Sequence, residues 1–267
     1  MLLQHPILLR LLVATAAITP TLAYAIDRHE IQVYEEDVND PGHFGLELHT
    51  NYAHGGRKTP DYAGELAPAG VTRFTLEPAY GLSENAELGA YLQMALGPDG
   101  QAHWAGAKLR VKLRAPQKLR NRKVFMGLNI ELGAVPKTVE EAGWANEFRP
   151  FIGWRNRWIL VDFNPIFGYA LSGKDAFKPD FEPAGKVSVD TQHGVAVGAE
   201  YYAGIGPLGT TLLPLSQQEH LLFGVLDLAA AKGTPLGEWE VNLAVGKALT
   251  HAAGTDWVAK TIVGRSF

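Results

Sequence analysis

Ala105-Gly106-Ala107-Lys108-Leu109-Arg110-Val111-Lys112-Leu113-Arg114 is the stretch on which the fold class turns. Ala105, Ala107, Leu109, Val111 and Leu113 alternate with Lys108, Arg110, Lys112 and Arg114. A period of 2 belongs to a β-strand, whose successive side chains point to opposite faces. The cations follow one another along one face at roughly 7 Å intervals. If the leucines and valine face lipid, the cations must point into a lumen, because Lys or Arg on the lipid face costs about 2–4 kcal/mol at the bilayer midplane.

The same alternation extends in both directions. Upstream it runs through Phe44–Leu48, Thr72–Glu77 and Ala86–Met94; downstream through Val124–Leu132, Glu147–Arg155 and Ile159–Tyr169. Weaker versions follow near 183–190, 194–203, 217–230, 238–248 and 256–267. Leu222, Leu226 and Asp227 break the rhythm, which predicts a bulge there. Twelve segments result, most about ten residues long, the length a tilted strand needs to cross a bilayer. An even count returns both ends of the domain to one side. The odd-numbered connections (53–70, 97–101, 135–146, 173–181, 204–216, 250–255) are longer on the whole than the even-numbered ones (81–85, 115–121, 155–157, 191–193, 231–237). Long outer loops and short periplasmic turns are the pattern of a bacterial outer-membrane barrel. The reading is therefore all-β: an antiparallel up-and-down transmembrane β-barrel of twelve strands over 43–267.

The two ends fit export to a Gram-negative outer membrane. Residues 1–25 read as a signal peptide: Arg10 precedes apolar Leu11 to Ile18, Pro20 breaks the run, and Ala23-Tyr24-Ala25 offers small residues before a cut after Ala25. Phe267 closes the last alternating segment and resembles the signal by which barrel-assembly machinery recognises its clients. Residues 26–42 (IDRHEIQVYEEDVNDPG) are acidic and polar, with one short alternation at Ile31 and Val33. They read as a periplasmic N-terminal segment; a plug in the lumen or an added short strand are the alternatives.

Composition excludes other classes. Hydrophobic residues make up 46% and charged residues 19%, so disorder is excluded. The formal charge of −4 gives a nucleic-acid partner no support. Cysteine is absent, which removes disulfide scaffolds, thiol enzymes and Cys-based zinc sites. No cofactor and no metal site is expected.

Pro41-Gly42-His43-Phe44-Gly45-Leu46-Glu47-Leu48-His49-Thr50-Asn51-Tyr52 and Glu77-Pro78-Ala79-Tyr80-Gly81-Leu82-Ser83-Glu84-Asn85-Ala86-Glu87-Leu88-Gly89-Ala90 resemble proteobacterial outer-membrane barrels grouped as the MetA-pathway of phenol degradation. The resemblance covers the first two hairpins. It implies an outer-membrane barrel of a putative transporter family and carries no catalytic residues.

The inward face is where function must lie. Lys108, Arg110, Lys112 and Arg114 share it with Arg73, Glu77, Glu87, Glu131, Arg149 and Asp162. A basic ladder would guide anionic or polar solutes; alternatively the charges pair and fill the lumen. The function expected is a narrow, porin-like channel for uptake of small polar, anionic or aromatic solutes, with outer-membrane lipid and a small-molecule solute as partners. A lipid-modifying hydrolase and a structural barrel without a through-channel are the alternatives. For the hydrolase the candidates are Ser172 and Ser216 at the outer rim, with His220 too far along the strand from Ser216 to bond it. Trp104, Trp144, Trp154, Trp158, Trp239 and Trp257 fall near strand ends, as aromatic girdles require.

Overall fold

The computed structural model describes residues 26–116, 123–173, 176–229 and 236–267. The stretch 1–25, where an export signal is expected, and parts of the connections at 115–121, 173–181 and 231–237 lie outside the described residues.

The strands form one closed antiparallel sheet. They are β1 (Phe44–His54), β2 (Thr72–Ser83), β3 (Ala86–Leu96), β4 (Ala102–Arg114), β5 (Val124–Ala134) and β6 (Trp144–Arg155). Then come β7 (Ile159–Asn164, continued by Phe167–Ala170), β8 (Asp180–Phe181, continued by Ala184–Asp190) and β9 (Val195–Gly204, continued by Gly206–Pro207). Finally come β10 (Glu219–Leu228), β11 (Glu240–Ala248) and β12 (Trp257–Ser266). Each strand pairs with its neighbours in sequence, and β12 pairs with β1 from Gly45↔Ser266 to His54↔Trp257, so the twelve strands close without an edge. Phe267 completes the seam: its N–H donates to the Phe44 carbonyl at 2.7 Å, and Phe44 N–H returns the bond at 3.3 Å.

Two prolines explain why β7 and β8 are interrupted. Neither Pro165 nor Pro183 has an N–H to give the ladder. The gaps face each other, and Glu182 N–H bridges them by donating to the Ile166 carbonyl at 2.9 Å.

The barrel is inside out relative to a soluble protein. Leu88, Leu92, Met94, Leu109, Val187, Val197 and Val245 are exposed on the outer wall, while Arg110, Glu77, Glu131 and Arg149 are buried within. Water would penalise such an apolar exterior, and hydrocarbon would not. All six tryptophans point outward at strand ends. Trp104, Trp144 and Trp257 ring the end with the longer loops, and Trp154, Trp158 and Trp239 ring the end with the turns. Arg157, Lys247 and Arg265 lie over Trp158, Trp257 and Trp239 at 4.7, 5.4 and 5.8 Å from the ring centroids, cations seated where headgroups would be.

Three expectations need correction. First, Ala105 does not face outward with Leu109. Gln93 pairs with Gly106 and Met94 with Trp104, leaving Ala105 as the extra residue of a bulge, buried inside. Gly106 at φ 121° makes the bulge possible. Second, no bulge lies in β10, which keeps continuous register with both neighbours. Its rhythm fails because Leu221, Phe223 and Val225 point inward.

Third, residues 26–40 are not a periplasmic lead-in; they run through the lumen. Ile26, Ile31 and Val33 pack against Leu221, Phe223, Val225 and Val258, which is why that part of the inner wall is apolar. Burying each such side chain stabilises the arrangement by about 1.5–3 kcal/mol. The segment enters at the loop end, where the Arg28 guanidinium donates to the Ala253 carbonyl at 3.0 Å and to Glu219 at 3.3 Å. It leaves at the turn end, where Asn39 N–H and Nδ2 donate to Glu87 at 2.7 and 2.6 Å. Gly42 at φ 82° then reverses the chain into β1.

Candidate functional site

The site is the lumen, a charged wall closed around one polar segment. Successive strands deliver its side chains at period 2, so each inward position is flanked by lipid-facing neighbours. Arg73, Glu77, Glu87, Lys108, Arg110, Lys112, Glu131, Arg149 and Asp162 are all buried on the inner wall. Arg114 is not among them: it sits at the turn-end rim, where its Nε donates to the Glu84 carbonyl at 2.6 Å. The last residue of a strand is already clear of the barrel wall.

The wall cations of β4, β6, β8 and β12 are held, some across strands and some by the inner segment. Arg110 bonds Glu77 at 2.6 Å and Glu87 at 2.7 Å. Lys108 bonds Asp27 at 2.5 Å and Glu131 at 3.1 Å. Arg149 bonds Glu147 at 2.8 Å and lies 3.7 Å from Glu30. Lys112 donates to the Asp37 carbonyl at 2.6 Å. Lys186 pairs with Glu35 and Asp227 at 3.1 and 3.0 Å, and Lys260 with Glu200. Partners at these distances offset the cost of holding many charges out of water. Asp27, Glu30, Tyr34, Glu35, Lys186, Glu200 and Lys260 were not among the site residues expected from sequence. The available signal was the uncompensated basic ladder of β4 beside an acidic lead-in.

Tyr34 is the most heavily contacted residue of the inner segment, 2% exposed in the middle of the lumen. Its ring lies 4.7 Å from Arg149 Cζ, 5.0 Å from Lys112 Nζ and 5.9 Å from Arg110 Cζ, three cations around one aromatic face system. Its hydroxyl donates to Glu30 at 2.5 Å and accepts from Tyr91. Asn164 clamps its backbone from the wall: Tyr34 N–H donates to Asn164 Oδ1 at 2.6 Å, and Asn164 Nδ2 donates to the Tyr34 carbonyl at 3.0 Å. Two chambers flank Tyr34. The turn-end chamber measures about 850 Å³ and is lined by Glu47, Lys112, Lys186, Asp227, Glu240 and Lys260, among others. The loop-end chamber measures about 210 Å³ and is lined by Arg57, Glu65, Arg73, Glu140, Glu182 and Glu219, among others.

Glu47, His49 and Glu77 bring three potential ligand atoms within 4.8 Å of one another. His49 Nε2 lies 3.1 Å from Glu77, whose other oxygen is held by Arg110. A guanidinium on the same carboxylate competes with a metal ion, and the arrangement is that of a salt-bridged cluster.

Ser172 and Ser216 are exposed at the loop end, and neither bonds a histidine among the described residues. His220 Nδ1 is instead bonded to the Tyr201 hydroxyl at 2.5 Å.

Glu140, in the 135–143 loop, is pushed up from the usual 4.5 to about 7 by burial, against the pull of Lys108. Its contribution to stability is full below the ordinary carboxylate range and is lost as pH rises through about 7. Amide exchange across 135–143, corrected for intrinsic rates, should accelerate roughly threefold or more between pH 5.5 and 8. Glu140→Gln should make that profile flat.

No protein-family model matches the chain, and no curated protein matches it in sequence. Its fold is that of outer-membrane channel barrels. It is similar to the COG4313 outer membrane channel from Pseudomonas putida F1, with TM-score 0.60 and 9% identity over 89% of this chain and 100% of that one. It is similar to the KdgM porin, with TM-score 0.53 and 10% identity over 84% and 99%. The NanC porin follows, with TM-score 0.52 and 9% identity over 83% and 98%. At these identities the likeness establishes the small-barrel fold alone, and what the lumen does must be argued from its own residues.

Proposed function

We propose that this protein is a porin-like channel of the outer membrane, closed at rest by its own residues 26–40. The observation that carries this reading is the seat of Tyr34. One segment held through side-chain contacts crosses the lumen there, between two chambers of aqueous size. A barrel meant only as scaffold would be filled by its wall. The loop end faces outside and the turn end faces the periplasm, in keeping with the connection lengths. Phe267 at the closing seam is the residue offered to the assembly machinery.

The solutes are small and polar, anionic or aromatic. Arg110, Lys112 and Arg149 around Tyr34 form a basic ring that would accept an anion or an aromatic face in place of the tyrosine. Planar-bilayer recording of the purified full-length protein tests the reading. Small, brief openings are expected; a correctly folded barrel that never conducts, with or without Tyr34 in place, would refute it.

A further inference from the structure

The loop-end chamber holds charges of both signs that its wall leaves unpaired. Lys108, Arg110, Arg149, Lys186 and Lys260 each have a carboxylate within ion-pair distance. Arg73 on β2 does not. It is 6% exposed, lines the chamber, and has neither hydrogen bond nor ion pair from its guanidinium to any described residue. Beside it, Gln93 on β3 is 1% exposed and its Nε2 is unpartnered; His29 Nδ1, lining the same space, is unpartnered too. Around the chamber, Glu182 between the two pieces of β8 is 7% exposed and its carboxylate meets no cation or donor among the described residues. Glu140 keeps Oε1 buried and unpartnered. Ala95, Val135 and Val139 give the same chamber an apolar patch.

We propose that this chamber binds a small zwitterion, its carboxylate on Arg73 and Gln93 and its ammonium toward Glu182 and Glu140. An arginine cannot shed its proton, and with Asp27 and Glu65 acting on Arg73 only from beyond ion-pair distance, its guanidinium keeps donors free for an anion. A simple carboxylate would meet that need but would add negative charge where Glu182 and Glu140 already stand uncompensated. A simple cation would leave Arg73 alone. A molecule with both charges satisfies both walls and leaves the net charge unchanged. The volume of about 210 Å³ equals roughly seven waters, the scale of an α-amino acid with a short apolar side chain and too small for an oligosaccharide. The apolar patch suits that side chain. The proposal rests on the chamber wall and stands whether or not the lumen conducts.

Isothermal titration calorimetry on the detergent-purified full-length barrel tests it, with L-leucine, isovalerate and isoamylamine as probes. L-Leucine is expected to bind saturably, and each half-charged analogue about tenfold more weakly or worse. Arg73→Gln should weaken L-leucine about tenfold or more, while Arg73→Lys keeps the charge and retains most of the binding. Glu182→Gln should weaken L-leucine but tighten isovalerate, from which it lifts a like charge, and it carries the test if Arg73→Gln fails to show the heat-modifiable migration of a folded barrel. Absence of saturable L-leucine binding, isovalerate binding as tightly as L-leucine, or wild-type affinity in the folded variants would overturn the assignment.

Discussion

Replacing Tyr34 and Asn164 together by alanine is expected to raise single-channel conductance roughly threefold or more. Tyr34 is 2% exposed and sits among Arg110, Lys112 and Arg149, so its loss removes three cation–π contacts and a large buried surface. Truncating a buried aromatic to alanine costs about 3–5 kcal/mol. Asn164→Ala removes two further bonds to the segment's backbone, each worth about 1 kcal/mol. The wall strands keep all their ladder bonds, so the loss falls on the segment and not on the barrel. The ion pair of Asp27 with Lys108 and the bonds of Asn39 remain at either end, and the segment should loosen in the middle without leaving. Tyr34→Phe is the control. It keeps the ring and gives up only the bonds to Glu30 and Tyr91, so its conductance should stay near wild type. Planar-bilayer recording at fixed salt reads all three proteins.

Leu109→Lys should destabilise the folded barrel in lipid by about 2–4 kcal/mol. Leu109 is 62% exposed near the middle of β4, between inward Lys108 and Arg110. In water an exposed leucine replaced by lysine changes stability by about 0.5 kcal/mol or less. The same substitution in hydrocarbon strips an ammonium of water with no partner in reach. Leu113→Lys, one residue from the end of β4, should cost only about 0–1 kcal/mol because the side chain reaches the interface. Urea titration of both variants in liposomes, followed by heat-modifiable migration, measures the difference. The depth dependence separates a lipid-facing wall from a soluble one.

The barrel itself was legible because its rule is local. Each strand carries its own alternation, so β4 could be read without knowing what it pairs with, and the tryptophans marked both rims. The bulge at Ala105 was not, since Ala105 and Ala107 look alike and only the register against Gln93 and Met94 separates them. The inner segment was illegible for a different reason. Its partners are Asn51, Thr75, Arg149 and Asn164, from four different strands, and nothing near it in sequence announces them. Its acidic composition looks like a surface tail until the cations of β4 are seen to need carboxylates. The broken rhythm of β10 was the same fact from the other side. Leu221, Phe223 and Val225 face inward because Ile31 and Val33 are there to meet them. Arg73 was placed on the inner wall from sequence, but its lack of a partner is a property of the assembled chamber.

Photo-crosslinking from position 34 tests the central claim most directly. With para-azidophenylalanine in place of Tyr34 and the protein in intact outer membranes, irradiation should give intramolecular crosslinks to peptides of β3, β4, β6 and β7, the strands that carry Tyr91, Lys112, Arg149 and Asn164. Crosslinks only to periplasmic proteins, or none within the chain, would place residues 26–40 outside the lumen and contradict the account.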